Sequence, residues 1–447
     1  MRILFRMLRL ACAYKARALC NGIFVSGLDL RRLSREDIGY KLFFHFARAR
    51  IDRQRRRVSC SIFGTGLFRE TAVHVDGIGA VLLTGITEAS VRTWPPVPTA
   101  TPAPPGTAEA PRPGPEAAVL PARAPGIDAR KVEAAVGRLF DDRGRRNPLR
   151  TRAVAVAQDG RIVCERYAPG IGPDTRLLSW SMAKSFVSVL VGILAGHGRI
   201  RIDDPAPVPE WSDPRDPRHA ITVSQLLRMS SGLAWTETYG EKPISDVTRM
   251  LYFEPDMARF AASQPLTAPP DTGFRYSSGS INIVCRIIRD LFASREEYLA
   301  FPHRALFDRI GMRSAAWTTD VAGTLVGSSF LFATARDYAR FGMFCLADGI
   351  WRGERILPEG WMRWATTPTP TDPSAEYGAG FWLNRDPADA SKGRAYPKLP
   401  ADFFYANGHQ GQMIGVLPSR NLVVVRLGMT WGSEWGREDF LAELLSS

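Results

Sequence analysis

The sequence predicts an α+β fold, and three observations carry that reading. Two strands closed by Asp159-Gly160 come early, helical patterns fill the middle, and four strand patterns follow between residues 377 and 428. With that order, the sheet must be completed by pairing the two ends of the domain. At 447 residues the chain is long enough for one large domain or two, and 45% hydrophobic with 23% charged residues is an ordinary globular composition.

Read from the start, residues 1–94 form a basic extension. Arg2, Arg6 and Arg9 interrupt the apolar run Met1–Leu19 on one helical face, so no membrane-spanning length accumulates. The segment is compatible with a helix on an anionic membrane surface through residues 1–20, a degenerate signal peptide, or a misassigned start. A periplasmic or membrane-associated location is favoured over a cytoplasmic one. A charged helical pattern is expected from Ser34 to Arg50. Strands are expected at 58–63, 70–75 and 79–83. Residues 95–126, rich in Pro and Ala, read as a linker.

The main domain is expected over 127–447. Asp128 caps a helix to about Phe140, and a type I′ turn at Asp159-Gly160 joins strands 152–158 and 161–167. A nearly all-apolar helix opens at Ser181 and stops at Gly196 or Gly198. Thr222 to Leu233 is a short capped helix running into a turn. Further helices fall at 278–292, 334–346, 358–366 and 437–445, with strands at 377–383, 402–407, 411–416 and 421–428.

Charge narrows the function classes. The net charge is +13, but residues 1–57 carry +11 of it, so the main domain gives no support to a nucleic-acid role. Six scattered cysteines show no metal-ligand spacing and read as buried apolar residues. No motif calls for a metal or cofactor.

The chemistry concentrates in three motifs. In Ser181-Met182-Ala183-Lys184 the serine and lysine lie one helical turn apart on one face. A serine hydroxyl is a poor nucleophile until a base takes its proton, and burial is what lets a lysine act as that base. The same spacing is also the polar stripe of an amphipathic helix. Lysine usage sharpens the point: the chain has 7 Lys against 51 Arg, and only lysine can be deprotonated in a protein. The second motif, Phe274-Arg275-Tyr276-Ser277-Ser278-Gly279-Ser280, places Tyr276 on a loop before an apolar helix, where its hydroxyl suits proton transfer. The third, Asn407-Gly408-His409-Gln410-Gly411-Gln412, interrupts a strand pair with two glycines. There the backbone N–H of Gln412 would join that of Ser181 in an oxyanion hole.

In order and setting these motifs resemble the class C β-lactamase and D-alanyl-D-alanine carboxypeptidase family over about 127–446. Leu226–Leu233, Gly311-Met312 and Ala335–Gly342 add to the likeness. Within the superfamily the chain looks most similar to 6-aminohexanoate-dimer hydrolases and related esterases, which carry Tyr-x-Ser and lack a lysine in the third motif. The resemblance implies an antiparallel sheet flanked by helices, with a mainly helical subdomain. It implies Ser181 as nucleophile, Lys184 as base and Tyr276 as proton relay. Ser278, Tyr239, His409, Gly411 and Gln412 become expected substrate-binding or oxyanion residues, Tyr239 matching a mobile tyrosine that closes on substrate.

His409 stands where the family's lysine anchors a carboxylate. Small amides or esters without that carboxylate are therefore the expected substrates. A β-lactamase or carboxypeptidase, and a catalytically idle binding protein of the same fold, remain the alternatives. The oligomeric state is not legible.

Overall fold

The computed structural model describes residues 2–39, 41–95, 97, 127–239, 244–389 and 391–446. The Pro/Ala-rich linker lies outside them, residues 95 and 97 excepted. In chain order, helix α1 (Arg2–Phe24) precedes strands β1 (Ala47–Asp52), β2 (Arg57–Ile62), β3 (Glu70–Val75) and β4 (Gly79–Leu82). Helix α2 (Ala129–Arg138), the hairpin β5 (Thr151–Gln158) and β6 (Arg161–Tyr167), and helix α3 (Ala183–Gly196) follow. The central helices are α4 (Val223–Leu227), α5 (Asp246–Phe253), α6 (Met257–Ala262), α7 (Ser278–Asp290) and α8 (Ala335–Leu346). The chain closes with β7 (Trp382–Leu383), β8 (Phe404–Gly408), β9 (Gln412–Leu417), β10 (Leu422–Gly428) and helix α9 (Arg437–Leu445).

These elements form two compact units. One comprises 1–98, 203–301 and 316–332; the other comprises 99–202, 302–315 and 333–447. The second holds a six-stranded antiparallel sheet in the order β7-β8-β9-β10-β5-β6. The expected joining of the two ends is the β10–β5 pairing, with Val425 opposite Ala155. Every residue of β5 is buried, because both faces of the sheet are covered. Val154, Val156, Met413 and Val424 pack with Val132 and Val136 of α2 and Leu441 and Leu444 of α9. On α8, Gly342 comes so close to the sheet that a Cβ would fall 2.5 Å from Val423. Phe341 stacks on Phe186 of α3 at 3.6 Å, and Tyr338 donates to the Leu177 carbonyl at 3.0 Å. These three contacts give the Ala335–Gly342 motif its mechanical meaning.

Local chemistry explains the boundaries. Asp159 and Gly160 both have positive φ, as a type I′ turn demands. Asp128 caps α2 by accepting from the N–H groups of Arg130 and Lys131. Thr222 and Gln225 form a reciprocal capping box on α4.

Two expectations fail. The strand expected at 377–383 is reduced to Trp382-Leu383, because Gly378 and Gly380 (φ +85°) form a turn that bonds the Gly378 N–H to the Phe381 carbonyl. The charged helix expected from Ser34 to Arg50 ends at Ile38, and Ala47–Asp52 is strand β1. There Arg48 and Arg50 alternate with Ala47, Ala49 and Ile51, a period of two that pairing with β2 selects.

In the first unit α1 lies on the sheet β1-β2-β3-β4. Its contact face is made of small residues, Ala11, Cys12, Ala16 and Cys20, all fully buried, so the helix sits close to the sheet. The Asn21 side chain accepts from the Ala80 N–H at 2.9 Å. Toward α5, Tyr14 packs on Tyr252 at 5.5 Å, and Arg17 donates to the Leu251 carbonyl at 2.8 Å.

Candidate active site

Each unit carries part of the predicted constellation. In the sheet unit, Ser181 lies in a short 3-10 turn, Trp180–Met182, that leads straight into α3. The helical spacing brings Lys184 Nζ to 2.9 Å from Ser181 Oγ. Lys184 is 1% exposed, whereas Ser181 is half-buried, so the hydroxyl is reachable and its partner is not. Burial destabilises an ammonium relative to the neutral amine, the condition for a lysine base.

Around this pair the backbone is unusual. Trp180 has φ +46°, a conformation that a bulky residue adopts only when its surroundings impose it. Those surroundings are the third motif. The Trp180 indole N–H donates to Gln410 Oε1 at 3.2 Å, and its ring meets His409 edge-on at 5.4 Å. Gly408 is required because a Cβ there would sit 2.3 Å from the Ser179 carbonyl oxygen. Gln410 and Gly411 also have positive φ. Thus the structure brings Ser181, Lys184, His409, Gly411 and Gln412 into one neighbourhood.

The turn is held from behind. Arg426 of β10, fully buried, donates to the carbonyls of Gln410, Gly411 and Leu149 and to the hydroxyls of Thr151 and Thr430. The Gln412 side chain bridges to Gly428, accepting from its N–H and donating to its carbonyl. That side chain is therefore structural, and only the Gln412 backbone remains for an oxyanion role. Sequence reading missed Arg426; an arginine inside the apolar run Leu422–Leu427 was the available signal.

The helical unit carries the second motif. Tyr276 is half-buried on the loop before α7. That loop is tied to the Leu226–Leu233 segment: the Arg275 N–H donates to the Met229 carbonyl, and Ser230 Oγ donates to Asp271. Ser278 is wholly buried, and its hydroxyl and N–H both donate to the Glu237 carboxylate. The Trp235 indole N–H donates to the same carboxylate. Gly279 leaves room for that indole, which a Cβ would approach at 2.7 Å. Burial pushes the Tyr239 phenol well above its ordinary value, and the Glu237 charge adds to the rise while a Ser278 hydrogen bond opposes it. Lys41 donates to the Tyr239 carbonyl, so the basic extension grips this loop. Glu237 and Lys41 went unread because a single Glu or Lys in a loop has no sequence signature.

Comparison with known proteins settles the family. The beta-lactamase family model matches residues 136–444. This chain belongs to the beta-lactamase family. Among relatives within reach of that family, a 6-aminohexanoate-dimer hydrolase of Paenarthrobacter ureafaciens is 30% identical over 247 residues. The match takes in 52% of this chain and 61% of that protein, so the chain spans about six tenths of its length. A structure described as a candidate 6-aminohexanoate-dimer hydrolase of Bacillus anthracis superposes with a TM-score of 0.55 at 22% identity, over 66% of this chain and 78% of that one. A penicillin-binding protein homologue of Caulobacter crescentus gives 0.55 at 17% identity, over 72% and 98%. At such identities the two structures show the beta-lactamase fold, an α+β architecture, and nothing finer.

Proposed function

We propose that this chain is a serine hydrolase cleaving small amides or esters through an acyl-enzyme on Ser181. The observation that carries the reading is the 2.9 Å contact between Ser181 Oγ and the buried Lys184 amine. With Lys184 neutral, the hydroxyl donates along that contact. Its proton passes to Nζ as Oγ bonds to the substrate carbonyl carbon. Collapse of the tetrahedral intermediate breaks the bond to the leaving nitrogen or oxygen, which takes up the proton. Water then attacks the Ser181 ester and restores the serine. Tyr276 is the proposed relay to the leaving group, on the strength of the family motif. The N–H groups of Ser181 and Gln412 are the proposed oxyanion donors. Ser278 and Tyr239 are proposed substrate-side residues on the same motif ground alone.

Substrate class follows from the third motif. His409 packs on Trp180, and among the described residues Arg426 is engaged by backbone and threonine oxygens and Arg437 by Tyr396 and Asn407. No lysine stands there to hold a substrate carboxylate, which supports neutral amides and esters. The relative named for 6-aminohexanoate-dimer hydrolysis supports amides in particular.

The test pairs a fluorophosphonate label with a substrate screen. Wild type is expected to label on Ser181 and to turn over p-nitrophenyl esters and linear amides faster than nitrocefin, and Ser181→Ala is expected to lose both label and turnover. A label on another serine would overturn the nucleophile assignment. A stable penicilloyl adduct with slow ester turnover would favour the carboxypeptidase-type alternative.

A further inference from the structure

Most of the exposed large apolar side chains among the described residues gather on the layer formed by residues 2–95. Phe63 is 67% exposed, Leu67 62%, Ile3 63% and Leu4 57%, with Phe5 and Phe46 also exposed. Two aromatic pairs link the β2–β3 loop to its neighbours as an apolar ridge. Phe46 meets Phe63 edge-on at 5.7 Å, and the Phe63 N–H donates to the Phe46 carbonyl. The β2–β3 loop then runs through Leu67 to Phe68, whose ring lies 5.6 Å from that of Phe5 on the first turn of α1. A monomeric protein gains nothing in stability from large apolar side chains held in water at a loop tip.

The rim is cationic. Arg6, Arg48 and Arg69 are exposed around the ridge. Arg48 Cβ lies 3.9 Å from where a Cβ on Gly64 would stand, and the Arg69 guanidinium lies 3.3 Å from the same point on Gly66. Glu70, the acid beside the loop, is buried and paired with Arg9, and Asp52 sits at the opposite end of the β1–β2 hairpin. Residues 1–57 carry +11 in all.

From this ridge and its rim we infer that the N-terminal layer docks on an anionic phospholipid surface. The β2–β3 loop and the first turn of α1 enter the headgroup boundary, and the arginines meet the lipid phosphates. The geometry differs from an amphipathic helix lying flat, because the middle of α1 is buried against its own sheet. It is also not a spanning segment, since no described helix is long and apolar enough to cross a membrane. Self-association through this face would bring two strongly positive surfaces together, which charge repulsion opposes. The inference stands apart from the reading of Ser181.

The experiment is co-sedimentation of the full chain with phosphatidylcholine vesicles, with and without phosphatidylglycerol. Wild type is expected to bind only the anionic vesicles and to release as salt rises. Phe63→Ser with Leu67→Ser is expected to weaken binding by about tenfold or more. Arg48→Gln and Arg69→Gln are each expected to weaken it about fivefold. Thermal melting of each variant checks that the exposed loop tolerates the change. The inference is overturned if wild type ignores anionic vesicles, or if the folded Phe63/Leu67 variant binds as well as wild type. It is equally overturned if light scattering shows a wild-type dimer that the same variant dissolves, since the occupant is then a second copy.

Discussion

The two motif neighbourhoods, one in each unit, are built by different physics. Around Ser181 and Lys184 the construction is steric: an apolar buried helix, a tryptophan forced to positive φ, and a glycine with no room for a Cβ. Around Tyr276 it is polar: Glu237 gathers Trp235 and Ser278, and Asp271 gathers Ser230 and Gln225. The steric part suits the base proposed for Lys184, because burial disfavours an ammonium whereas a nearby carboxylate would hold it charged. The polar part suits a tyrosine that must be oriented, because directional bonds set a loop's angle better than apolar contact does.

That contrast can be broken most sharply at Lys184. Lys184→Arg and Lys184→Ala are expected to lower kcat alike, by about a hundredfold to ten-thousandfold, since guanidinium cannot serve as a base. An arginine variant that keeps most of the wild-type rate would make the residue a structural cation and erase the distinction.

Next in size is Arg426→Met. Removing the buried guanidinium takes a donor from the Gly411 carbonyl and one of the donors from those of Gln410 and Leu149, which keep the Thr430 N–H and hydroxyl, at an expected stability cost of about 2–3 kcal/mol by denaturant titration. Arg426→Lys should recover little, since one ammonium cannot reach what the fork reaches. Full stability in the methionine variant would show that the third-motif turn holds its shape by packing alone.

Glu237→Gln tests the polar part. Of the three bonds the carboxylate accepts, an amide oxygen keeps at most the two on one side and the third must reverse or break, costing about 1–3 kcal/mol, and turnover should fall while fluorophosphonate labelling of Ser181 persists. Labelling that disappears together with turnover would mean that the two parts cannot be perturbed separately.

The smallest expected effect is a slope with pH. Burial pushes the Asp320 carboxyl up to about 7, against the N–H groups of Met257 and Thr324, which favour its charged form. A folded-state value above the unfolded one stabilises at low pH, and that contribution fades as pH rises through about 7. His74 works oppositely. Burial pulls it down to about 4, so its contribution is present above 6.5 and is lost as pH falls through about 4. In wild type the two slopes offset each other. Asp320→Asn should therefore lose melting temperature on acidification below 6.5 more steeply than wild type. Parallel curves would show that Asp320 is ionised throughout.

Much of this was legible in advance, for one reason. The Ser181–Lys184 contact, the Asp159-Gly160 turn, the Asp128 and Thr222 caps and the Tyr276 loop are each decided by residues a few positions apart. Spacing and propensity carry such features without help from the rest of the chain. Strand β1 was misread because the segment before it is patterned as a helix, and the choice rested with β2 as pairing partner. The strand expected at 377–383 was cut short by a glycine turn that apolar content conceals.

What the amino-acid order determined by itself is the inventory: an α+β chain, a serine one turn from a lysine, a tyrosine loop, and a glycine-flanked third motif without a lysine. The tertiary structure alone decided which distant groups meet. It set Gly408 against Ser179, Arg426 behind Gln410 and Gly411, Glu237 under Ser278, and the basic extension against α5 and the Tyr239 carbonyl. Such contacts join residues tens to hundreds of positions apart. Their geometry depends on how whole elements pack and how loops close, and a single sequence leaves no local mark of that.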